Sequence, residues 1–337
     1  MSVTKSRLIQ LPKAELHLHI EGTLEPELVF KLARRNGVEL PYRDESDLSQ
    51  QYAFENLQSF LNLYYECMAV LRTREDFADL ARSYFAKAKE QGVRHVEMFF
   101  DPQAHVSRGV DFDEVVEGLH QAIGEAWTEH GISGGLILSF LRDEPLETAQ
   151  DVWSKAKERP ERFVAVGLDS AEVGFPPGPF APIFAEARAL GLRAVAHAGE
   201  EGPPSYINGA LDALKVDRID HGIRAMEDPE LVRRLVRDAV PLTVCPLSNV
   251  RLGCVQDLAD HGLLAMLDEG LIVTVNSDDP AYFGGYVGDN FVAVDSALGL
   301  DDATAAQLAR NSIRAAFAPT DRKQALLELI DQWEGAA

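Results

Sequence analysis

The sequence predicts an α/β fold, a (β/α)8 TIM barrel with a helical insertion after the first strand. Eight short runs of β-branched and aliphatic residues alternate with longer segments whose apolar residues recur every three or four positions, as repeated βα units do. A chain of 337 residues is long enough to form such a barrel as one domain. The eight predicted strands lie at residues 14–19, 93–99, 135–140, 163–169, 194–197, 218–220, 242–245 and 272–276.

The long segment between the first and second strands is predicted to be mostly helical. Thr23 is placed to cap a helix that ends before Gly37, because a hydroxyl before a helix and a glycine after it are common end signals. Thr73, with Asp76 three residues later, marks the start of another helix in the manner of a capping box. The insertion therefore precedes the second strand as a helical segment.

The remaining pattern is continuous, so the chain is predicted to be one domain over residues 1–337. No Ser- or Gly-rich linker and no repeat of solenoid length interrupts it. A doubly wound open sheet is the alternative architecture. It is disfavoured because no GxGxxG follows the first strand and no GxxxxGK[ST] occurs in the sequence.

The composition excludes several classes of partner. With 54 acidic and 32 basic residues the formal net charge is -22, and such a field repels nucleic-acid polymers and anionic membrane surfaces. The apolar runs are far shorter than the ~20 residues of a membrane span.

Residues 1–11 show no signal-peptide core, so a cytoplasmic location is expected. Three cysteines without a CxxC pair argue against a disulfide framework. A homo-oligomer is compatible with this composition.

In a parallel barrel the reactive residues follow the carboxyl ends of the strands. The first predicted strand ends in His17-Leu18-His19, whose imidazoles, two positions apart, face the same side. Burying both without partners would be costly, so a metal site is favoured. Other polar strand ends are His197 followed by Glu200, then Asp220-His221-Gly222, then Asn276-Ser277-Asp278-Asp279-Pro280.

The donor set favours one zinc ion per chain. Three histidines and one carboxylate suit zinc with an open position for water, whereas magnesium and calcium prefer oxygen ligands. A two-metal site would need a bridging group such as a modified lysine on the fourth strand, where this chain reads Asp169-Ser170-Ala171-Glu172. A lone histidine is more often structural, and no function is assigned to His95, His105, His120, His130 and His261.

The ordered motifs LHLHIEG at residues 16–22, HAGE at 197–200, DHG at 220–222 and SDDP at 277–280 resemble the adenosine and adenine deaminases of the amidohydrolase superfamily. Their order and spacing cover almost the whole chain. The resemblance implies zinc-dependent hydrolytic loss of ammonia from the 6-amino group of a purine. It also implies the metal ligands His17, His19, His197 and Asp278, and the catalytic residues Glu200, His221 and Asp279.

The roles that the resemblance implies agree with elementary chemistry. Zinc would lower the pKa of its bound water to about 7, and the resulting hydroxide would attack C6 of the purine. Glu200, if protonated, can hand a proton to N1, because the attack builds negative charge on the ring. His221 would orient the water and either assist its deprotonation or stabilise the hydroxide. Asp279 can hold that water and contact N7.

The substrate pocket is less well specified. Leu57 and Phe60, together with Tyr64, lie at helical spacing and can cover a purine ring, although packing against the barrel explains the same stripe. Gly199 is expected beside the substrate, and Ser248 and Asn249 are further pocket candidates. The cytidine-deaminase type uses an HxE and PCxxC signature instead, and this chain has Cys245-Pro246 in the wrong order.

Two departures from the nucleoside-deaminase pattern favour a free base as substrate. Glu21 stands where those relatives have Asp, and its extra methylene would extend into the space of the ribose. Glu172 stands where they have glycine, and Glu172 or Ser170 could accept the N–H that only a free base carries. Conversion of adenine to hypoxanthine and ammonia, in purine salvage, is therefore expected. The alternatives are a deaminase of adenosine or another 6-aminopurine nucleoside, and a catalytically silent purine-binding protein.

Overall fold

The computed structural model describes residues 4–54 and 56–336. Eight parallel strands are hydrogen-bonded in sequence order, and each predicted strand is present with its ends within two residues of those expected. The α/β TIM barrel is thus confirmed. The strands are β1 (Lys13–His19), β2 (Val93–Phe100), β3 (Ser133–Leu141), β4 (Ala165–Asp169), β5 (Arg193–Ala198), β6 (Arg218–His221), β7 (Pro241–Val244) and β8 (Ile272–Val275).

The barrel is joined between its first and last strands just beyond the end of β8. Leu18 and Asp278 form an isolated parallel bridge. The His19 N–H donates to the Asp278 carbonyl at 3.0 Å, and the Asp278 N–H donates to the His17 carbonyl at 3.1 Å. The contact that joins the two strands therefore also brings Asp278 beside both histidines of β1.

Helices flank the strands along the whole described chain. None of the helices formed by residues 4–54 and 56–336 is long and apolar enough to cross a membrane. They are α1 (Lys5–Gln10), α2 (Pro26–Asn36), α3 (Glu45–Ser49), α4 (Leu57–Cys67), α5 (Arg74–Glu90), α6 (Pro102–Val106), α7 (Phe112–His130), α8 (Leu146–Ala156), α9 (Ala181–Ala189), α10 (Pro204–Gly209), α11 (Pro229–Asp238), α12 (Pro246–Arg251), α13 (Leu263–Asp268), α14 (Pro280–Phe283), α15 (Val287–Leu298), α16 (Asp302–Ala315) and α17 (Thr320–Gly335).

Helices α2 to α5 form the insertion between β1 and β2, which confirms that this segment is mostly helical. Gly37 ends α2 with a left-handed φ of 61°. The predicted cap at Thr23 is wrong: α2 begins only at Pro26, and the Thr23 hydroxyl donates to a carbonyl of its own preceding turn. Helix α5 begins as predicted, because the Thr73 N–H donates to the Asp76 carboxylate at 2.9 Å.

The amino end of the barrel is filled by a buried ion pair. Arg218, which begins β6, contacts the carboxylate of Glu97 on β2, and both side chains are fully buried. His95 contacts the same carboxylate at 3.1 Å. Burial alone would raise the pKa of Glu97, but the charge of Arg218 and the contact with His95 outweigh it and lower that pKa to about 2. The amino end of the barrel is therefore closed by packed side chains, and the polar strand ends lie at the opposite, carboxyl end.

Candidate active site

The polar residues that follow the strands converge at the carboxyl end of the barrel. Three of these positions have a left-handed backbone: φ is 68° at Ser170, 61° at His221 and 64° at Asp278. A left-handed conformation costs a residue with a Cβ about 1–2 kcal/mol, and such residues concentrate at functional sites. The backbone geometry at the carboxyl ends of β4, β6 and β8 therefore marks this mouth as the candidate site.

The histidines of β1 and β5 converge with Asp278 on one point. His17 Nε2 lies 3.2 Å from Asp278 Oδ1, and His19 Nε2 lies 3.5 Å from the same oxygen. His19 Nε2 is also 3.1 Å from His197 Nε2. All four side chains are buried. Ligand atoms of His17, His197, His221 and Asp278 lie within 4.8 Å of one another, so this cluster can hold a metal ion.

Neighbouring groups orient the imidazoles with a lone pair towards that point. His17 Nδ1 contacts the Thr243 carbonyl at 3.1 Å, so Nδ1 carries the hydrogen and Nε2 is left as a lone pair. That buried Nε2 makes no hydrogen bond among the described residues and faces Asp278 Oδ1 at 3.2 Å. His19 Nδ1 faces Asp169 Oδ2 at 3.6 Å. Burial lowers the pKa of His19 to about 4 and that of His197 well below its usual value. Both rings are therefore neutral at pH 7, as metal ligands must be.

Glu200 lies in the loop after β5, next to this cluster. Its Oε2 is 3.5 Å from His221 Nε2. Burial, followed by the negative charges of Asp278 and Glu172, raises the pKa of Glu200 well above its usual value. A carboxyl that keeps its proton at neutral pH can act as a general acid.

Asp279 borders the same space on the side of β8. Burial, and then the charge of Asp278, raises the pKa of Asp279 well above its usual value. A Cβ atom at Gly22 would lie 1.9 Å from Asp279 Oδ1, which is closer than any real contact. Residue 22 must therefore be glycine for the Asp279 side chain to occupy this place.

A cavity opens over these residues. Leu57 and Phe60, with Tyr64, contribute an apolar wall from α4. Ser170 also lines the cavity, and its hydroxyl lies 3.3 Å from that of Tyr65. The cavity thus combines an apolar wall with a polar floor.

Sequence reasoning missed two carboxyl groups in the cavity wall, Asp101 and Asp169. Burial, and then the charge of neighbouring carboxyls, raises the pKa of both well above the usual value. A signal for Asp101 was present in the sequence, because Asp101-Pro102 follows the second strand as Asp279-Pro280 follows the eighth.

The profile of the family described as Adenosine deaminase matches residues 12–333. The chain belongs to the adenosine deaminase family. An adenine deaminase of Streptomyces coelicolor is 63% identical over 316 residues, which are 94% of this chain and 93% of that protein. The crystal structure of an adenine deaminase from Arthrobacter aurescens matches with a TM-score of 0.95 at 54% identity, covering 96% of this chain and 99% of that one. An amidohydrolase from Burkholderia ambifaria, solved with bound zinc, matches with a TM-score of 0.90 at 26% identity and covers 100% and 95% of the two chains.

In this member of the adenosine deaminase family, Glu172 holds a loop rather than facing the cavity. Its Oε1 accepts the Gly199 N–H at 2.7 Å, and its Oε2 accepts the N–H groups of Glu200, Glu201 and Gly202 at 3.1, 3.1 and 2.7 Å. These four donors occupy the carboxylate, which corrects the expectation that Glu172 contacts substrate. Gly199 is likewise turned towards Glu172 and is not among the residues that line the cavity.

Glu21 also departs from expectation. Its Oε1 accepts from His105 Nε2 at 2.7 Å and from the Asp101 N–H at 3.1 Å, while Arg108 donates to His105 Nδ1 at 2.7 Å. Burial raises the pKa of Glu21 to about 7. Glu21 is fully buried and does not border the cavity. It therefore holds the backbone of Asp101 by a hydrogen bond and does not extend into the space that a ribose would occupy. His105, to which no function was assigned, is part of this support.

Proposed function

We propose that this chain catalyses the hydrolytic deamination of adenine to hypoxanthine and ammonia. The observation that carries the proposal is Glu200, a buried carboxyl of raised pKa held 3.5 Å from His221 beside a cluster of metal-ligand side chains. A protein that only binds purines has no use for such a proton donor. The relatives at 63% and 54% identity named adenine deaminase favour the free base over a nucleoside.

We propose one zinc ion per chain, held by His17, His19, His197 and Asp278. Imidazole nitrogens and a carboxylate oxygen are the donor types that zinc prefers, and the buried Nε2 of His17 presents its lone pair beside the carboxylate of Asp278. When bound, zinc would supply an activated water at neutral pH by lowering the pKa of that water. The zinc found in the Burkholderia ambifaria amidohydrolase agrees with this assignment.

Glu200 carries the proton transfers. It gives its proton to N1 of the purine as the water oxygen bonds to C6, which keeps negative charge from accumulating on the ring. The carboxylate so formed takes one proton of the water and delivers it to the amino group. As the C6–N bond breaks and ammonia leaves, the carboxylate takes the remaining proton from the oxygen on C6, which becomes the carbonyl of hypoxanthine. One water molecule and adenine thus become hypoxanthine and ammonia, and Glu200 ends in its starting state.

The other residues hold the ring and the attacking oxygen. Burial and the charge of Asp278 raise the pKa of Asp279 well above its usual value, and in its protonated form Asp279 can donate to N7 of adenine. His221 contacts the attacking water. Leu57 and Phe60 cover a face of the ring, and Ser170 is available to the N3 and N9 edge, where a nucleoside would carry its sugar.

Initial rates of ammonia release test this function on the purified zinc-loaded protein. Adenine, adenosine, 2'-deoxyadenosine and N6-methyladenine form the substrate panel, with a chelated sample as control. We expect a kcat/KM for adenine at least ~10-fold above that for adenosine, the discrimination that one specific contact can provide. Metal analysis should find about one zinc per chain. Equal or better use of adenosine would refute the assignment, as would two ions per active chain.

A further inference from the structure

A row of three buried side chains, those of His261, Asn249 and His221, leads from the start of α13 to the site. It begins at the backbone N–H of Leu263 in the first turn of α13, which donates to His261 Nδ1 at 3.1 Å. His261 Nε2 lies 3.2 Å from Asn249 Oδ1, and Asn249 Nδ2 lies 3.3 Å from His221 Nδ1. The side chains of His261, Asn249 and His221 are at most 5% exposed. Neither the metal cluster nor the proton transfers by Glu200 require His261 or Asn249.

The first donor fixes the direction of every hydrogen bond in this row. A backbone N–H can only donate, so His261 Nδ1 is an acceptor and a neutral His261 carries its hydrogen on Nε2. That hydrogen is donated to Asn249 Oδ1, which leaves the Asn249 amide hydrogens for His221 Nδ1. The hydrogen of a neutral His221 is then on Nε2. Burial lowers the pKa of His261 to about 4, so this ring is neutral at pH 7. His221 Nδ1 faces the Asn249 amide donor at 3.3 Å, so that nitrogen accepts a hydrogen bond and carries no hydrogen.

The reversed arrangement is disfavoured. If the Asn249 amide were turned over, His261 would have to carry its hydrogen on Nδ1, where it would face the N–H of Leu263. Two donors would then oppose each other in a buried place, and one of them would be left without an acceptor. A buried unsatisfied donor lowers a population by roughly 5-fold to more than 100-fold.

We propose that His261 and Asn249 are positioning residues that hold His221 in its Nε2–H tautomer, so that His221 donates to the attacking oxygen instead of accepting its proton. His221 Nε2 points to the site, at 3.5 Å from Glu200 Oε2 and 3.9 Å from Asp278 Oδ2. Of the two roles that the sequence leaves open for His221, this selects stabilisation of the nucleophile and leaves Glu200 to receive the proton. The role of the donated hydrogen rests on the proposed function, whereas the tautomer itself does not.

Nitrogen-15 NMR of protein labelled at its histidines reads the tautomer directly, because protonated and unprotonated ring nitrogens resonate far apart. The His221 signals are assigned by their loss in His221→Asn. We expect an unprotonated Nδ1 and a protonated Nε2 at pH 7, both in the metal-loaded protein and after chelation. A protonated Nδ1 in the wild-type protein would overturn the inference, whatever the enzyme does with adenine. Conversely, the expected spectrum with no adenine deamination would leave the inference standing and remove the proposed function.

Asn249→Asp tests the cause of the tautomer. A carboxylate accepts from both rings, so His221 should change to the Nδ1–H tautomer while zinc content stays at the wild-type level. We expect kcat for adenine to fall by about 10² to 10⁴, the range for loss of one catalytic group in its correct form, with little change in KM. His95→Gln, at the opposite end of the barrel, is the matched control and should leave the His221 signals in place. Unchanged His221 signals in folded Asn249→Asp would show that Asn249 does not set the His221 tautomer. If that variant does not fold, the wild-type spectrum alone decides the inference.

Discussion

Replacing Glu172 by glutamine should move Glu200 while leaving its carboxyl group unchanged, so it tests how far activity depends on the position of Glu200. One carboxylate oxygen of Glu172 accepts a single N–H and the other accepts three. In the variant, the amide oxygen can serve the three donors only if the amide nitrogen faces the Gly199 N–H. One buried N–H is then unpaired, at a cost of about 1–3 kcal/mol, and the three remaining hydrogen bonds lose the strength that the charge gives them. The loop is thus weakened locally by roughly 3 kcal/mol.

The expected consequence is a fall in kcat for adenine of about 10²-fold, the effect of a displacement of ~1 Å at a catalytic group. Glu172 also contributes to the raised pKa of Glu200, so its neutralisation lowers that pKa. Because Glu200 acts as an acid in its protonated form and activity is lost as pH rises through its pKa, the alkaline limb of the kcat profile should move to lower pH.

Steady-state rates across pH, with urea unfolding of the same samples, measure both effects. Glu201→Gln is the matched control, since Glu201 lies in the same loop and also raises the pKa of Glu200, but its side chain does not hold the four N–H groups. That control should move the alkaline limb slightly and keep kcat within about 3-fold of wild type. A folded Glu172→Gln enzyme with wild-type kcat and an unchanged alkaline limb would show that the loop does not depend on this carboxylate.

Three further changes have definite expected outcomes. Glu200→Gln should keep its zinc and its fold but lose about 10² to 10⁴ in kcat; near-normal ammonia release would remove Glu200 from the reaction. Gly22→Ala should displace Asp279, whose oxygen occupies the position of the added Cβ, and lower kcat/KM by at least ~10-fold; wild-type kinetics would show that the Asp279 position is not critical. Glu97→Gln should lower the free energy of urea unfolding by about 3–5 kcal/mol, because Arg218 is left buried without a counter-charge; a loss under ~1 kcal/mol would indicate that Arg218 finds another partner.

The barrel was predictable because each strand carries its own signal. Runs such as residues 163–169 and 272–276 are short, apolar and bounded by polar residues, and parallel pairing follows from their alternation with helices. The helix start at Thr73 was also readable, since both halves of its cap lie in one turn. Thr23 misled because its hydroxyl bonds backward into the preceding turn, a choice that depends on the path of the chain after β1.

The cluster of histidines with Asp278 was accessible from sequence for the same reason as the strands. His17 and His19 lie at the end of β1 and Asp278 follows β8, and parallel strands end at one mouth. The surrounding carboxyls were not accessible. A carboxylate such as that of Glu172 or Glu21 can either contact a substrate or accept hydrogen bonds from the protein. The sequence does not show which, because only the path of the folded chain decides whether the oxygens face the cavity.

His261 could not be chosen from sequence either. It shows no motif of its own, and its relation to His221 exists only through Asn249 in the folded chain.

At the left-handed residues of the mouth, the substitution that favours folding differs from the one that favours function. Glycine at Ser170, His221 or Asp278 would relieve about 1–2 kcal/mol of backbone strain at each position, so each of these replacements is a candidate stabilising change by backbone criteria. At His221 and Asp278 the same change would delete a side chain of the metal cluster or its neighbour. A search for thermostable variants that ranks substitutions by folding alone would therefore be drawn to the residues on which activity is expected to depend. The left-handed residues at the mouth therefore lower the stability of this barrel, and replacing His221 or Asp278 to relieve that strain would remove a side chain needed for function.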